Sequence, residues 1–292
     1  MRQLLPLLTA TLVSCAGPKT NLPDVVRDEP NAPTIARHLV GPDTPGADGL
    51  TLREGRNPAI EDRADLYWSK AYREVYRSAD ELAAQDARER RNGESLPKLI
   101  RGNPNRREIA LTFDDGPHPA FTVRLLDLLK AERVPATFFV VGKKAEAAPA
   151  LIRRMADEGH EVGNHTFSHV TLTKIPVLDV AAEYRANSDL IARLTGKRPA
   201  YCRPPGGDYD PDVIRAAGAE GMTTVLWTDD PGDYANPAAD VLLRRATDKL
   251  ENGAIILLHD GPSSTLATLP AFIAGAQARG FKFVSLHDLT RP

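Results

Sequence analysis

Cysteine is nearly missing from this chain of 292 residues, which has only Cys15 and Cys202. At most one intramolecular disulfide is available, and none if Cys15 is used elsewhere. That excludes a disulfide-stapled scaffold, so stability has to come from a buried core, which 42% hydrophobic residues in a chain of this length can supply. An excess of one charge is missing too: 37 Lys and Arg face 39 Asp and Glu, for a formal net charge of -2. This balance leaves no basic patch demanding nucleic acid. Long hydrophobic runs are also absent. The clearest one, in "MRQLLPLLTATLVSC", spans about ten residues, too few to cross a bilayer. No internal repeat is apparent.

What the first fifteen residues do hold is an early Arg2, that apolar run and a small-residue approach to Cys15, the layout of an export signal. Leu12, Val13, Ser14 and Cys15 resemble the lipobox of bacterial lipoproteins. The resemblance implies a signal peptide over 1–15 and a lipid on Cys15, with plain secretion as the alternative. The mature protein is then expected to be exported and anchored in the cell envelope by acyl chains. Ala16 is not an Asp, which favours the outer membrane where the organism has one. With Cys15 lipidated, Cys202 in "PAYCRPPGG" reads as a small buried hydrophobe.

Residues 16–60 are rich in Pro, Gly, Asp and Asn and read as a flexible tether. The stretch 61–104 reads as a helical linker, with apolar residues near helical spacing at Leu66, Ala71, Val75, Ala79 and Leu82 over 62–91. Tyr67, Trp68, Tyr72 and Tyr76 form either a face that docks on the neighbouring domain or one that stacks on sugars.

From 105 to 292 strand-like and helix-like runs alternate. Strands are expected at 108–113, 136–141, 161–164, 200–203, 223–227, 254–259 and 281–285, with amphipathic stretches such as "VRLLDLLKAERV" between them. Crossovers of this kind predict a parallel sheet with outer helices, in the α/β class. The domain is somewhat short for eight βα units, so a distorted (β/α)7-type barrel is expected.

Ligands in such folds bind at the carboxyl ends of the strands. Asp114 and Asp115 follow the first strand of the domain and precede a Gly-Pro break; alone they read as a solvated turn. His165 and His169 follow the third strand, and a spacing of four on a helical turn would let both imidazoles grip one metal ion. His259 ends the sixth strand run. Five groups capable of metal binding and proton transfer at three strand ends point to a site rather than to isolated structural residues.

"TFDDGP", "HTFSH", "RPPGG", "DDPGDY" and "ILLHD" resemble, in order and approximate spacing, the five motifs of the polysaccharide deacetylase family, the NodB-homology or carbohydrate esterase family four enzymes. The resemblance covers about residues 105–290. It implies metal-dependent hydrolysis of acetyl groups from an acetylated polysaccharide, peptidoglycan or an exopolysaccharide bearing N-acetylglucosamine. It further implies that Asp115, His165 and His169 hold one divalent ion, zinc first, with cobalt or nickel as alternatives. Asp114 is then the general base, His259 the general acid, Arg203 the residue that orients the base, and Asp233 the support of the acid. The backbone N–H of Gly206 is the implied oxyanion donor, and Tyr234 and Leu257 the implied flanks of an acetyl pocket. Many family members have an aromatic residue where this chain has Gly206, and Trp is common where it has Tyr234. Two other readings stand beside this one: an O-acetyl esterase of acetyl-xylan type, and an inactive glycan-binding envelope lipoprotein. A monomer is expected.

Overall fold

The computed structural model describes residues 76–94 and 96–291. The export signal, Cys15, the tether and the aromatic residues Tyr67, Trp68 and Tyr72 lie outside the described residues.

Helix α1 (Ala79–Arg91) begins at a reciprocal cap: Glu81 N–H donates to Ser78 Oγ at 3.3 Å, and Ser78 N–H donates to Glu81 Oε2 at 2.8 Å. Of the stretch read as helical over 62–91, residues 62–75 lie outside the described residues; residues 76–78 are not helical, and the helix starts at Ala79. The chain then runs through β1 (Lys98–Leu99), β2 (Glu108–Gly116), α2 (Phe121–Glu132), β3 (Ala136–Val140), α3 (Gly142–Ala147), α4 (Pro149–Asp157) and β4 (Glu161–Asn164). After α5 (Val177–Thr195) come β5 (Tyr201–Cys202), α6 (Pro211–Ala219), β6 (Thr223–Val225) and α7 (Ala239–Asp248). The strand β7 (Ile255–His259), helix α8 (Ser263–Ala278), strand β8 (Lys282–Phe283) and the single turn α9 (Leu286–Leu289) complete it.

Every strand pair is parallel, in the order β1-β6-β5-β4-β3-β2-β7, with β8 pairing β2 off that path. The sheet is an incomplete barrel of the (β/α)7 type with helices around it. The seven expected strands all occur. An additional one, β1, falls in the stretch read as helical linker and pairs with β6 through Lys98↔Thr224 and Leu99↔Val225. Leu82 of α1 is fully buried in the same cluster as Val225 and Trp227, so α1 and β1 pack against the domain. Among the described residues, no helix is long and apolar enough to cross a membrane.

Two apolar clusters sandwich the sheet, and strand alternation sorts residues between them. On β2, Ile109, Leu111 and Phe113 join Leu125, Leu126 and Phe272 in the cluster beneath the helices. Ala110 belongs to the opposite cluster, and Thr112 and Asp114 continue its face of β2. On β7 the same alternation sends Ile256 and Leu258 to the helices, and Ile255 and Leu257 inward, with His259 next on the inner face. The register Asp114↔His259 therefore brings two polar groups side by side at the carboxyl ends of neighbouring strands.

A regular strand would turn Asp115 toward the helices. Instead the β2–β3 register shifts between Asp114↔Phe139 and Gly116↔Val140, leaving Asp115 as a bulge with φ +69°. Gly116 follows because a Cβ there would collide with the Asp260 carboxylate. Gly116→Ala is expected to lower unfolding free energy by about 1–3 kcal/mol, the usual penalty of overpacking, with Asp260 displaced. Chemical denaturation checks this; unchanged stability would show that Asp260 moves freely.

Candidate active site

The bulge places the two adjacent carboxylates on one rim, Asp114 hydrogen-bonded to Arg203 and Asp115 turned to the histidines. Asp114 is 4% exposed. Its Oδ1 accepts from Arg203 Nη1 at 2.8 Å, while its Oδ2 stands 3.8 Å from His165 Nε2. Asp115 Oδ1 lies 3.3 Å from His165 Nε2 and 2.8 Å from His169 Nε2. Burial opposes ionisation of Asp115, but hydrogen bonds from both histidines, and their charge, hold its carboxyl well below the usual range.

The histidines do not sit on a helical turn, which corrects the expectation from their spacing. Residues 165–170 form a bent loop, with Thr166 at φ +63° and His169 at φ +58°. Side chains hold that loop. Asn164 Oδ1 accepts from Thr166 N–H at 2.8 Å, and Thr166 Oγ1 accepts from His169 N–H at 3.0 Å. Buried Glu183 on α5 accepts from the N–H groups of Phe167 and Ser168, both at 2.7 Å. Asn187, one turn further on, donates to the carbonyls of Val140 and Thr166. The histidines are thus aimed by a hydrogen-bonded loop braced on α5.

Asp115, His165 and His169 offer one carboxylate oxygen and two imidazole nitrogens within 4.8 Å of one another. This donor set suits a divalent metal such as zinc. The ring of His165 is oriented for it: Nδ1 lies 2.7 Å from the Arg203 carbonyl oxygen, so Nδ1–H donates there and Nε2 is the nitrogen turned toward Asp115, with a lone pair for a metal once the ring is neutral.

Arg203 is fully buried, and each of its three guanidinium nitrogens donates a hydrogen bond. Beyond Asp114, its guanidinium donates to Thr112 Oγ1 at 2.8 Å and to the carbonyls of Val225 and Leu226 at 3.2 Å, and it stacks on Phe139 with 4.3 Å to the ring centroid. Burial draws the guanidinium pKa down, and the charge of Asp114 opposes that. Across the rim, His259 Nδ1 lies 2.6 Å from Asp233 Oδ1, and Asp233 Oδ2 accepts from His259 N–H at 2.8 Å and Thr265 Oγ1 at 2.6 Å. Burial lowers the pKa of His259, but its bond to Asp233 and the charges of Asp233, Asp115 and Asp114 more than offset this and carry it to about 9. Asp260, next to His259, accepts from Thr122 Oγ1 at 2.5 Å.

Gly206 stands in the "RPPGG" turn at φ +64°, and Gly207 N–H closes the turn onto Pro204 O at 3.0 Å. Tyr234 is 48% exposed and stands beside His259, with 5.8 Å between ring centroids, whereas Leu257 lies buried two residues before His259 on β7. Cys202 is buried and free, its thiol pushed up to about 12 by burial. Sequence reasoning missed the supports Thr112, Asn164, Glu183, Asn187 and Thr265. It named Tyr76 without placing it at this rim. In the structure Tyr76 stacks on Tyr234 at 4.8 Å with an interplanar angle of 3°.

A family model described as polysaccharide deacetylase matches residues 101–225. The chain is 35% identical over 200 residues to a peptidoglycan-N-acetylglucosamine deacetylase of Bacillus cereus, covering 64% of this chain and 90% of the relative. It is 36% identical over 206 residues to a chitooligosaccharide deacetylase of Sinorhizobium fredii, covering 66% and 94%. The crystal structure of the Bc1960 peptidoglycan N-acetylglucosamine deacetylase superposes with a TM-score of 0.65 at 32% identity, over 66% of this chain and 92% of that one.

Calorimetric titration of the metal-free protein with zinc is expected to show one strong site per chain. Affinity should fall by about 100-fold or more in His165→Ala and Asp115→Asn and change little in Asp114→Asn. Unaltered zinc binding by His165→Ala would separate the cluster from metal binding.

Proposed function

The chain belongs to the polysaccharide deacetylase family, and from that premise we propose that it hydrolyses acetyl groups from N-acetylglucosamine units of an envelope or extracellular polysaccharide. One observation carries the reading: a ligand set of Asp115, His165 and His169 flanked by a carboxylate, Asp114, and by a proton-holding imidazole, His259.

A divalent ion held by those ligands, zinc in the first instance, supplies Lewis acidity toward the acyl oxygen and a water of lowered pKa. Asp114, kept off the ligand set by its bond to Arg203, takes a proton from the attacking water. The backbone N–H of Gly206 donates to the developing oxyanion. His259, oriented through Nδ1 by Asp233, delivers a proton from Nε2 to the departing nitrogen. An amine leaves poorly unless protonated, more so than an alcohol, so the well-supported acid favours N-acetyl over O-acetyl substrates. Tyr234 and Leu257 flank the acetyl methyl in this reading. Cys15 carries the lipid that anchors the enzyme in the cell envelope, and Cys15→Ser releases it from membrane fractions.

Acetate release from N-acetylated glucosamine oligomers is expected to exceed that from O-acetyl esters and to stop on chelation. Asp114→Asn should lower kcat by about 10²–10⁴-fold while retaining metal. Release indifferent to chelator, or normal turnover by Asp114→Asn, contradicts the proposal.

The acid works only when protonated, so kcat/KM is expected to fall as pH rises through the pKa of His259, which its bond to Asp233 raises. Asp233→Asn removes the main support of that raised value and moves the alkaline limb to lower pH. A limb that stays in place in this variant would remove Asp233 from its role.

A further inference from the structure

Tyr76 precedes the residues matched by the family model, 101–225, yet it stands at the acid side of the site. Its ring is stacked on Tyr234 at 4.8 Å, and the His259 ring stands nearly perpendicular to both, 6.1 Å from Tyr76 and 5.8 Å from Tyr234. The approach of this segment is fixed at three points. Ser78 caps α1, Arg77 N–H donates to Gly206 O at 2.9 Å, and Arg77 Nη1 lies 3.7 Å from Asp208 Oδ1. Asp208 is itself held by the Thr173 hydroxyl. The clamp uses the carbonyl of Gly206 and leaves to catalysis the N–H assigned to the oxyanion.

We propose that Tyr76 is a specificity-determining residue which, stacked on Tyr234, forms an aromatic platform for the pyranose ring bearing the acetamido group. The position of the sugar follows from the proposed deacetylation. A general acid must come within hydrogen-bond reach of the nitrogen it protonates, so the sugar carrying that nitrogen lies against whatever flanks His259. The flank is this pair of rings. A pyranose offers an apolar C–H face that an aromatic surface can cover. Tyr234 is a half-exposed ring; Tyr76, stacked on one of its faces, fixes its orientation and leaves the outer faces of the pair for the sugar. The N-terminal segment thus completes the substrate groove beside a turn that has no side chain at Gly206.

The test uses the full chain loaded with zinc, with tetra-N-acetylchitotetraose as probe, in an Asp114→Asn background so that the glycan is bound and not consumed. Tyr76→Ala is expected to weaken calorimetric binding roughly three- to tenfold, the weight of one aromatic stack. Tyr76→Phe should restore it. In the active enzyme Tyr76→Ala should raise KM for the same oligomer with a smaller change in kcat, and unchanged zinc affinity shows that the variant is folded. Equal binding with and without the Tyr76 ring, or no binding in either, overturns the proposal. Faster acetate release in Tyr76→Ala also overturns it, in favour of a strap that blocks the groove. Binding that depends on Tyr76 in a wild-type protein that releases no acetate strikes the catalytic reading and leaves the platform standing.

Discussion

The site depends on one backbone irregularity. Side chains of consecutive strand residues point to opposite faces, so Asp114 and Asp115 could not otherwise serve the same rim. The bulge at Asp115 puts that residue at φ +69° and brings its carboxylate round to the histidines while Asp114 stays on Arg203. A left-handed conformation outside glycine costs about 1–3 kcal/mol and persists only where the surroundings enforce it. Here strand pairing holds the residues on either side, and Lys144 Nζ donates to the Asp115 carbonyl at 2.6 Å. His169 and Thr166 are left-handed as well, so backbone strain is concentrated where ligands converge.

Chemistry is then divided by what each imidazole meets at Nδ1. His165 donates to a neutral carbonyl, that of Arg203, and is left with an Nε2 lone pair for a cation. His259 meets the carboxylate of Asp233, which favours the protonated ring. In the proposed reaction one side chain type thus serves as ligand in one place and as proton donor in another. Arg203 links the two halves, since its side chain holds Asp114 and its carbonyl orients His165. Substituting it would disturb Asp114 and His165, the proposed base and one proposed ligand, together.

Much of this was legible from the residues. Apolar alternation located the strands, since Ile109, Leu111 and Phe113 must face helices, and the motifs after them located the rim. The bulge was not legible, because hydrophobic periodicity carries no information about φ at an Asp, and an Asp-Asp-Gly-Pro run is equally good as an exposed turn. The spacing of His165 and His169 suggested a helical turn, yet Asn164 and Thr166 compete for the backbone with their own side chains and bend it into a loop. That competition depends on Glu183 and Asn187, some twenty residues away in sequence, which no local pattern reveals. Helical spacing around residue 76 hid a helix start for a similar reason: a Ser-x-x-Glu cap begins the helix at Ala79 inside a periodic stretch.

The account stands on a cation shared by one carboxylate and two imidazoles, with the neighbouring carboxylate left free. The most direct test is a crystal structure of the zinc-loaded protein with anomalous scattering at the zinc edge. It should show a single peak at about 2.0–2.2 Å from an Asp115 oxygen and from the Nε2 atoms of His165 and His169, with Asp114 still on Arg203. A peak elsewhere, or Asp114 drawn into the coordination shell in place of Asp115, would contradict it.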